Sequence, residues 1–148
     1  MMNTAKRMVG DEAEDVLQEA FLSAFQNIDR YRADATFGLW LKRIVVNKSI
    51  SLLNKRKGLE FEEIQDFNQS FEELSVSEEA LEVKKIKKAV SQLPDGFRTV
   101  LTLYLFEGYD HKEIAQILQI TESTSKSQYN RAKKRLKQLL NQTHQKDE

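Results

Sequence analysis

The stretch from Asp110 to Leu140, DHKEIAQILQITESTSKSQYNRAKKRLKQLL, constrains the fold of this chain more than any other. Its pattern predicts two short helices joined by a tight turn. Asp110 followed by Glu113 reads as a capping box that starts the first helix. Ile114, Ala115 and Leu118 recur at helical spacing and give that helix one buried face. Gln119, Ile120 and Thr121 have the length of the turn, with Ile120 plugging the angle between the helices. Thr121 or Ser123 then caps a second helix that continues to Leu140. From Thr121 to Leu140 there are six Lys or Arg against one acidic residue, Glu122. A solvated basic face on an ordinary helical hairpin is the plain reading of such a run. The turn and its caps favour instead a helix that suits a major groove and its phosphates.

The rest of the chain is expected to be helical too. It has one proline and five glycines in 148 residues, and is rich in Leu, Lys, Glu and Gln, which predicts an all-α protein. The formal net charge is zero, which excludes a uniformly basic nucleic-acid coat. That total hides a division. Residues 1–57 carry ten basic and seven acidic side chains, and residues 84–148 carry thirteen and seven. Residues 58–83 between them carry nine acidic side chains and no basic one. Two basic lobes thus flank an acidic middle. The absence of cysteine excludes disulfides and thiolate metal sites. No apolar run approaches the roughly 20 residues of a membrane helix. The opening MMNTAKRMVG lacks the apolar core of a signal peptide, so a cytoplasmic location is expected.

Taken in order, Met1 to Val9 reads as the end of a helix stopped at Gly10. Asp11 then caps an amphipathic helix whose buried stripe is expected at Val16, Leu17, Ala20, Phe21, Ala24, Phe25 and Ile28. Its other face holds Glu12, Asp15, Gln18, Glu19 and Gln26. The helix dipole accounts for acids in the first turn, but not for Gln18 and Glu19 beyond it. Asp29 to Thr36 is polar and reads as a loop, followed by a helix from Phe37 to Lys57. Phe37, Leu39, Trp40, Leu41, Ile44, Val45, Ile50, Leu52 and Leu53 give that helix a broad apolar surface, while Lys42, Arg43, Asn47 and Lys48 share a polar face. Aromatics beside cations can stack bases and hold phosphates of single-stranded DNA, although any one ring is more often core. Gly58 to Ser77 reads as an acidic linker, either a solvated spacer or a segment that mimics a nucleic-acid strand. Periodicity resumes near Glu78, with Leu81, Val83, Ile86, Val90 and Leu93 in one stripe. Phe97 to Glu107 is the most apolar helix and the expected centre of a four-helix second lobe.

Three stretches in this order resemble the extracytoplasmic-function sigma factors of bacterial RNA polymerase. They are GDEAEDVLQEAFLSAFQNI, FGLWLKRIVVNKSI, and LPDGFRTVLTLYLFEGYDHKEIAQIL with the hairpin that follows. The resemblance implies two small helical domains joined by an acidic linker, the C-terminal one containing the helix-turn-helix. Region 2 would occupy 1–57 with its first helix incomplete, the linker 58–77, region 4 78–143, and a polar tail 144–148. It implies that Asp15, Gln18 and Glu19 dock on core polymerase. It assigns Tyr31, Arg32, Asp34, Thr36 and Phe37 to capture of an extruded base of the minus-ten element, with Lys42, Arg43, Asn47 and Lys48 as further DNA contacts. It sets Lys126, Ser127, Asn130 and Arg131 against the minus-thirty-five groove, and Lys133, Lys134 and Arg135 near phosphates. Core polymerase, promoter DNA and an anti-sigma factor are the implied partners. No catalytic residue, cofactor or metal is implied.

The chain departs from the family pattern at several positions. A shortened first helix is expected to bare apolar surface at Phe21, Phe25 or Trp40. Ser51 and Asn54 stand where an acid and an arginine are usual, Gln119 where glycine is usual, and Ser125 where valine is common. Asn130 occupies a base-facing position that is often aromatic or basic. A helix-turn-helix regulator that never joins polymerase is the alternative. An enzyme has little to work with: His111 lies beside Asp110 and Glu113, and His144 lies in the tail, with no glycine-rich phosphate loop. The densest carboxylates, Glu62, Glu63 and Asp66, fall in the linker.

Overall fold

A computed structural model of the chain describes residues 1–32, 34–56, 61 and 82–146, with residues 143–146 described by backbone alone. Every regular element among the described residues is helical. The chain divides into two compact units, Met1–Leu59 and Glu60–Glu148. Apart from Phe61, the acidic stretch 58–77 lies outside the described residues, as do Leu81 and the side chain of His144.

The first unit packs three helices pairwise: α1 (Met2–Val9), α2 (Ala13–Gln26) and α3 (Phe37–Arg56). α2 buries mainly small side chains, Ala13, Val16, Ala20 and Ala24. Such a stripe lets a neighbour approach closely, and α3 fills the space with Leu41, Val45, Val46, Ile50 and Leu53, while α1 adds Ala5, Met8 and Val9. The expected stripe on α2 was therefore too broad. Leu17 is half-buried, while Phe21, Phe25 and Ile28 are exposed, Phe25 by 72%. Exposure at Phe21 and Phe25 agrees with the bare apolar surface expected there, while Trp40 is half-buried. On α3, Phe37 and Leu39, two members of the broad apolar surface, are exposed. Asp11 does not cap α2 either. It belongs to a 3-10 turn, Gly10–Glu12, which Gly10 opens at φ 69°. Arg56 closes the unit by donating to the Val9 carbonyl at 2.9 Å and pairing with Glu12 at 2.9 Å.

The second unit has four helices: α4 (Val83–Ser91), α5 (Asp95–Leu101), α6 (His111–Leu118) and α7 (Glu122–Lys146). Pro94 occupies the N-cap of α5, where its fixed φ of −53° costs nothing. Arg98 is buried and donates to the Leu93 carbonyl at 3.0 Å while pairing with Asp95. α5 then widens into a π turn, Thr102–Phe106, closed by Glu107 N–H to the Thr102 carbonyl at 3.0 Å. Val100, Leu101 and Leu103 lie at the centre of the unit, as the apolar run predicts. Leu105 and Phe106 at the end of that run face solvent, and so does Val83 of α4. One core joins Val90, Leu93, Leu101 and Ala132, with Ile86, Phe97, Tyr129, Leu136 and Leu139 against it. From Tyr129 to Leu140, α7 thus packs on α4 and α5, while its first turn meets α6 through Ser125.

Candidate nucleic-acid interface

The hairpin of the second unit is built by local chemistry. Asp110 Oδ1 accepts from Glu113 N–H at 2.8 Å, and Glu113 Oε1 accepts from Asp110 N–H at 3.3 Å, completing the capping box. α6 ends at Gln119, whose backbone is left-handed at φ 57°, ψ 46°. Thr121, not Ser123, caps α7: its Oγ1 accepts from Thr124 N–H at 3.0 Å and donates to Thr124 Oγ1 at 2.8 Å. Ile114 of α6 is buried, and Ala115, Leu118 and Ile120 are half-buried.

α7 turns one row of side chains inward: Thr124, Ser125, Gln128 and Ala132, continued by Leu136 and Leu140. At about 100° per residue, the opposite row holds Lys126, Ser127, Asn130, Lys133 and Lys134. Lys137 falls in the same row, eleven positions after Lys126, and sequence reasoning passed it over. Its signal was the period alone. Arg131 is half-buried on one flank, and Arg135 is exposed nearer the packed side. Lys126 lies 3.6 Å from Glu122 in an open ion pair, so it remains available to a stronger anion.

His111, the first residue of α6, joins the two helices. Its Nδ1 lies 2.8 Å from the Oγ of Ser125, which is wholly buried. Its ring stacks on Tyr104 at 4.4 Å and 15°, and Tyr129 stands 5.7 Å away on α7. Lys133 Nζ sits 4.8 Å over the Tyr129 ring. Burial, and then the neighbouring Lys126 charge, hold the His111 imidazolium below its ordinary pKa, against Glu122 and Asp110. Burial and Tyr104 push the Tyr129 phenol up.

In the first unit, Tyr31, Phe37 and Trp40 form a triad with ring centroids 5.3–5.7 Å apart. The Tyr31 hydroxyl donates to the Ala35 carbonyl at 2.7 Å and pins the loop. Thr36 Oγ1 accepts from Leu39 N–H at 3.2 Å at the start of α3. Arg32 and Asp34 are exposed in that loop. Trp40 joins this group although sequence reasoning favoured core for it. Its spacing of three from Phe37 was the available sign. The expectation of one shared polar face for Lys42, Arg43, Asn47 and Lys48 does not hold. Lys42 stands in line with the buried Val45, Val46 and Ser49, Arg43 and Lys48 are half-buried on the flanks, and Asn47 alone of the four is exposed.

Asp15, Gln18 and Glu19 are exposed together on α2 at spacings of three and four. Leu22, 62% exposed, continues their face, and Phe25 follows it. A carboxylate and amide row that runs into bare leucine and phenylalanine has the mixed character of a contact surface.

Comparison with known proteins bears on both units. Residues 1–58 match "Sigma-70 region 2", and residues 84–136 match "Sigma-70, region 4". The chain is 31% identical to the "ECF RNA polymerase sigma factor SigW" of Bacillus subtilis, over 90% of its own length and 79% of that protein. The chain belongs to the extracytoplasmic-function sigma factors. Another member, the "ECF RNA polymerase sigma factor SigM" of Bacillus subtilis, is 35% identical over 87% of this chain and 80% of its own. The fold is also that of the sigma factor RpoE solved in complex with the anti-sigma factor NepR from Bartonella quintana. There the TM-score is 0.65 at 24% identity, over 95% of this chain and 89% of that one. As a sigma factor the protein directs RNA polymerase core to specific promoters and initiates DNA-templated transcription. The region 2 match sets aside a regulator that acts without polymerase. No helix among the described residues is long and apolar enough to cross a membrane.

Proposed function

We propose that the two units divide promoter recognition between them. Residues 1–57 form region 2, which docks on core polymerase and captures the melted minus-ten strand. Residues 58–77 are the acidic linker. Residues 78–143 form region 4, which reads the minus-thirty-five element.

Docking is carried by Asp15, Gln18 and Glu19, to which we add Leu22. The minus-ten base is held at the loop of Tyr31, Arg32, Asp34, Thr36 and Phe37, with Trp40 as a third ring. Aromatic faces can stack an extruded base whatever its identity, while flanking cations hold its phosphates. Arg43, Asn47 and Lys48 track the strand, and Lys42 acts from the packed flank. The half-burial of Lys42 supports only a contact through the end of its long side chain.

The observation that carries the reading of region 4 is the two-sidedness of α7. Its inward row is fixed to the rest of the unit, so its outward row is presented in one orientation. Lys126, Ser127, Asn130 and Arg131 meet base edges, and Lys133, Lys134, Arg135 and Lys137 meet phosphates. Nothing in this division needs catalysis by the chain, so the protein acts without being an enzyme, in the cytoplasm where core polymerase works. An anti-sigma factor is a further partner, a reading supported by the complex in which the similar fold was solved.

The test is run-off transcription with core polymerase and the Lys126→Ala plus Arg131→Ala variant. Promoter-specific transcripts are expected to vanish while core binding persists. Two lost base contacts at about 1–3 kcal/mol each suffice for that. Unchanged promoter-specific transcription in the variant overturns the assignment of α7.

A further inference from the structure

We propose that His111 is a positioning residue for minus-thirty-five recognition, setting the rotation of α7 through its contact with Ser125. The inference rests on the reading of α7 given above.

Apolar packing alone fixes a helix pair loosely in rotation, because burial is non-directional. The buried Ile114 on α6 supplies packing of that kind. A hydrogen bond is directional and weakens steeply off its axis. The 2.8 Å contact from His111 Nδ1 to Ser125 Oγ is such a constraint, and it joins the first turn of α6 to the first turn of α7. Ser125 is wholly buried, so water cannot replace the imidazole as its partner without opening the hairpin. The ring itself is held on two sides. Tyr104 stacks on it from the π turn, and Tyr129 stands against it from α7, one turn beyond Ser125.

The consequence reaches residues that face DNA. Lys126 follows Ser125 directly, so its direction is fixed by the rotation that the buried contact sets. Tyr129, which His111 and Tyr104 together hold, carries Lys133 over its ring at 4.8 Å. One histidine thus orients a groove-facing lysine and a phosphate-facing one. The charged and titratable groups around it are Asp110 on its own side, Glu122, Lys126 and Tyr129 on α7, and Tyr104 on the π turn.

The test compares transcription by core polymerase with each variant on a promoter of this factor and on the same promoter with a scrambled minus-thirty-five element. His111→Phe keeps the stack and loses the hydrogen bond, Ser125→Ala removes the partner, and His111→Asn offers a polar atom near the Nδ1 position. We expect His111→Phe and Ser125→Ala each to lower the ratio of the two activities by about fivefold, the worth of one net hydrogen bond. The double variant should be no worse than either single one, and His111→Asn should recover most of the ratio. Variants that shift the melting temperature but leave the ratio at the wild-type value make His111 merely structural and overturn the proposal, as does no effect on either. A wild-type ratio of one removes the reading of α7 itself, and the proposal with it.

Discussion

Gln119 shows how a single side chain can work against its own backbone. The turn between α6 and α7 needs a left-handed residue, and Gln119 supplies it at φ 57°. A side chain with a Cβ pays about 1–2 kcal/mol for that conformation. Gly108, at φ 77°, meets a similar need one turn earlier without the cost. Gln119→Gly is therefore expected to stabilise the second unit by about 1 kcal/mol after the extra freedom of the unfolded glycine is discounted. Thermal denaturation should show a rise of about 4–8 °C. An unchanged or lower midpoint would mean that the Gln119 side chain makes a contact worth as much as the strain. The missing glycine was plain in the sequence, and the structure adds that the position still takes the glycine conformation.

At the scale of the element, α6 and α7 were the most legible part of the chain. Capping, turn length and period are set by residues within four positions of one another, so a sequence displays them directly. What joins the pair was not legible, because His111 and Ser125 are fourteen residues apart and neither marks the other. Their contact has a pH signature. The folded protein holds the His111 imidazolium below its ordinary 6.5, chiefly by burial and then by Lys126. The unfolded chain therefore takes up this proton more readily than the folded one. The contribution to stability is full above about pH 6.5 and is lost as pH falls through the lower folded value. Melting temperatures measured from about pH 7.5 down to 5 should fall for the wild type by more than for His111→Phe. Parallel curves for the two proteins would rule out His111 as the group responsible. α2 offers the opposite lesson. Its apolar residues cover more than one face, so the period alone chose Phe21, Phe25 and Ile28 for the core beside Val16, Ala20 and Ala24. The narrow alanine stripe won because α3 brings enough volume to fill a close approach.

At the scale of the whole molecule, zero net charge describes neither unit. Cations gathered on α7 should give promoter binding a steep salt dependence. The acids of α2 are set apart on a face that also bares Leu22 and Phe25. Glu19→Ala with Leu22→Ala is expected to leave the melting temperature nearly unchanged, since both side chains are exposed. Affinity for core polymerase, titrated directly, should fall at least tenfold, or about 1.4 kcal/mol. Undiminished affinity would move the docking face elsewhere on the unit. The helical class, the capped hairpin, the partition of charge and, through three ordered stretches, the family could all be read along the chain. Each of these is written in near neighbours or in composition. Tertiary structure alone decided that Trp40 joins Tyr31 and Phe37, that Lys42 stands apart from Asn47, and that His111 grips Ser125. The reason is physical: a helix period assigns a side chain a direction, but only a packing partner decides which direction is inside.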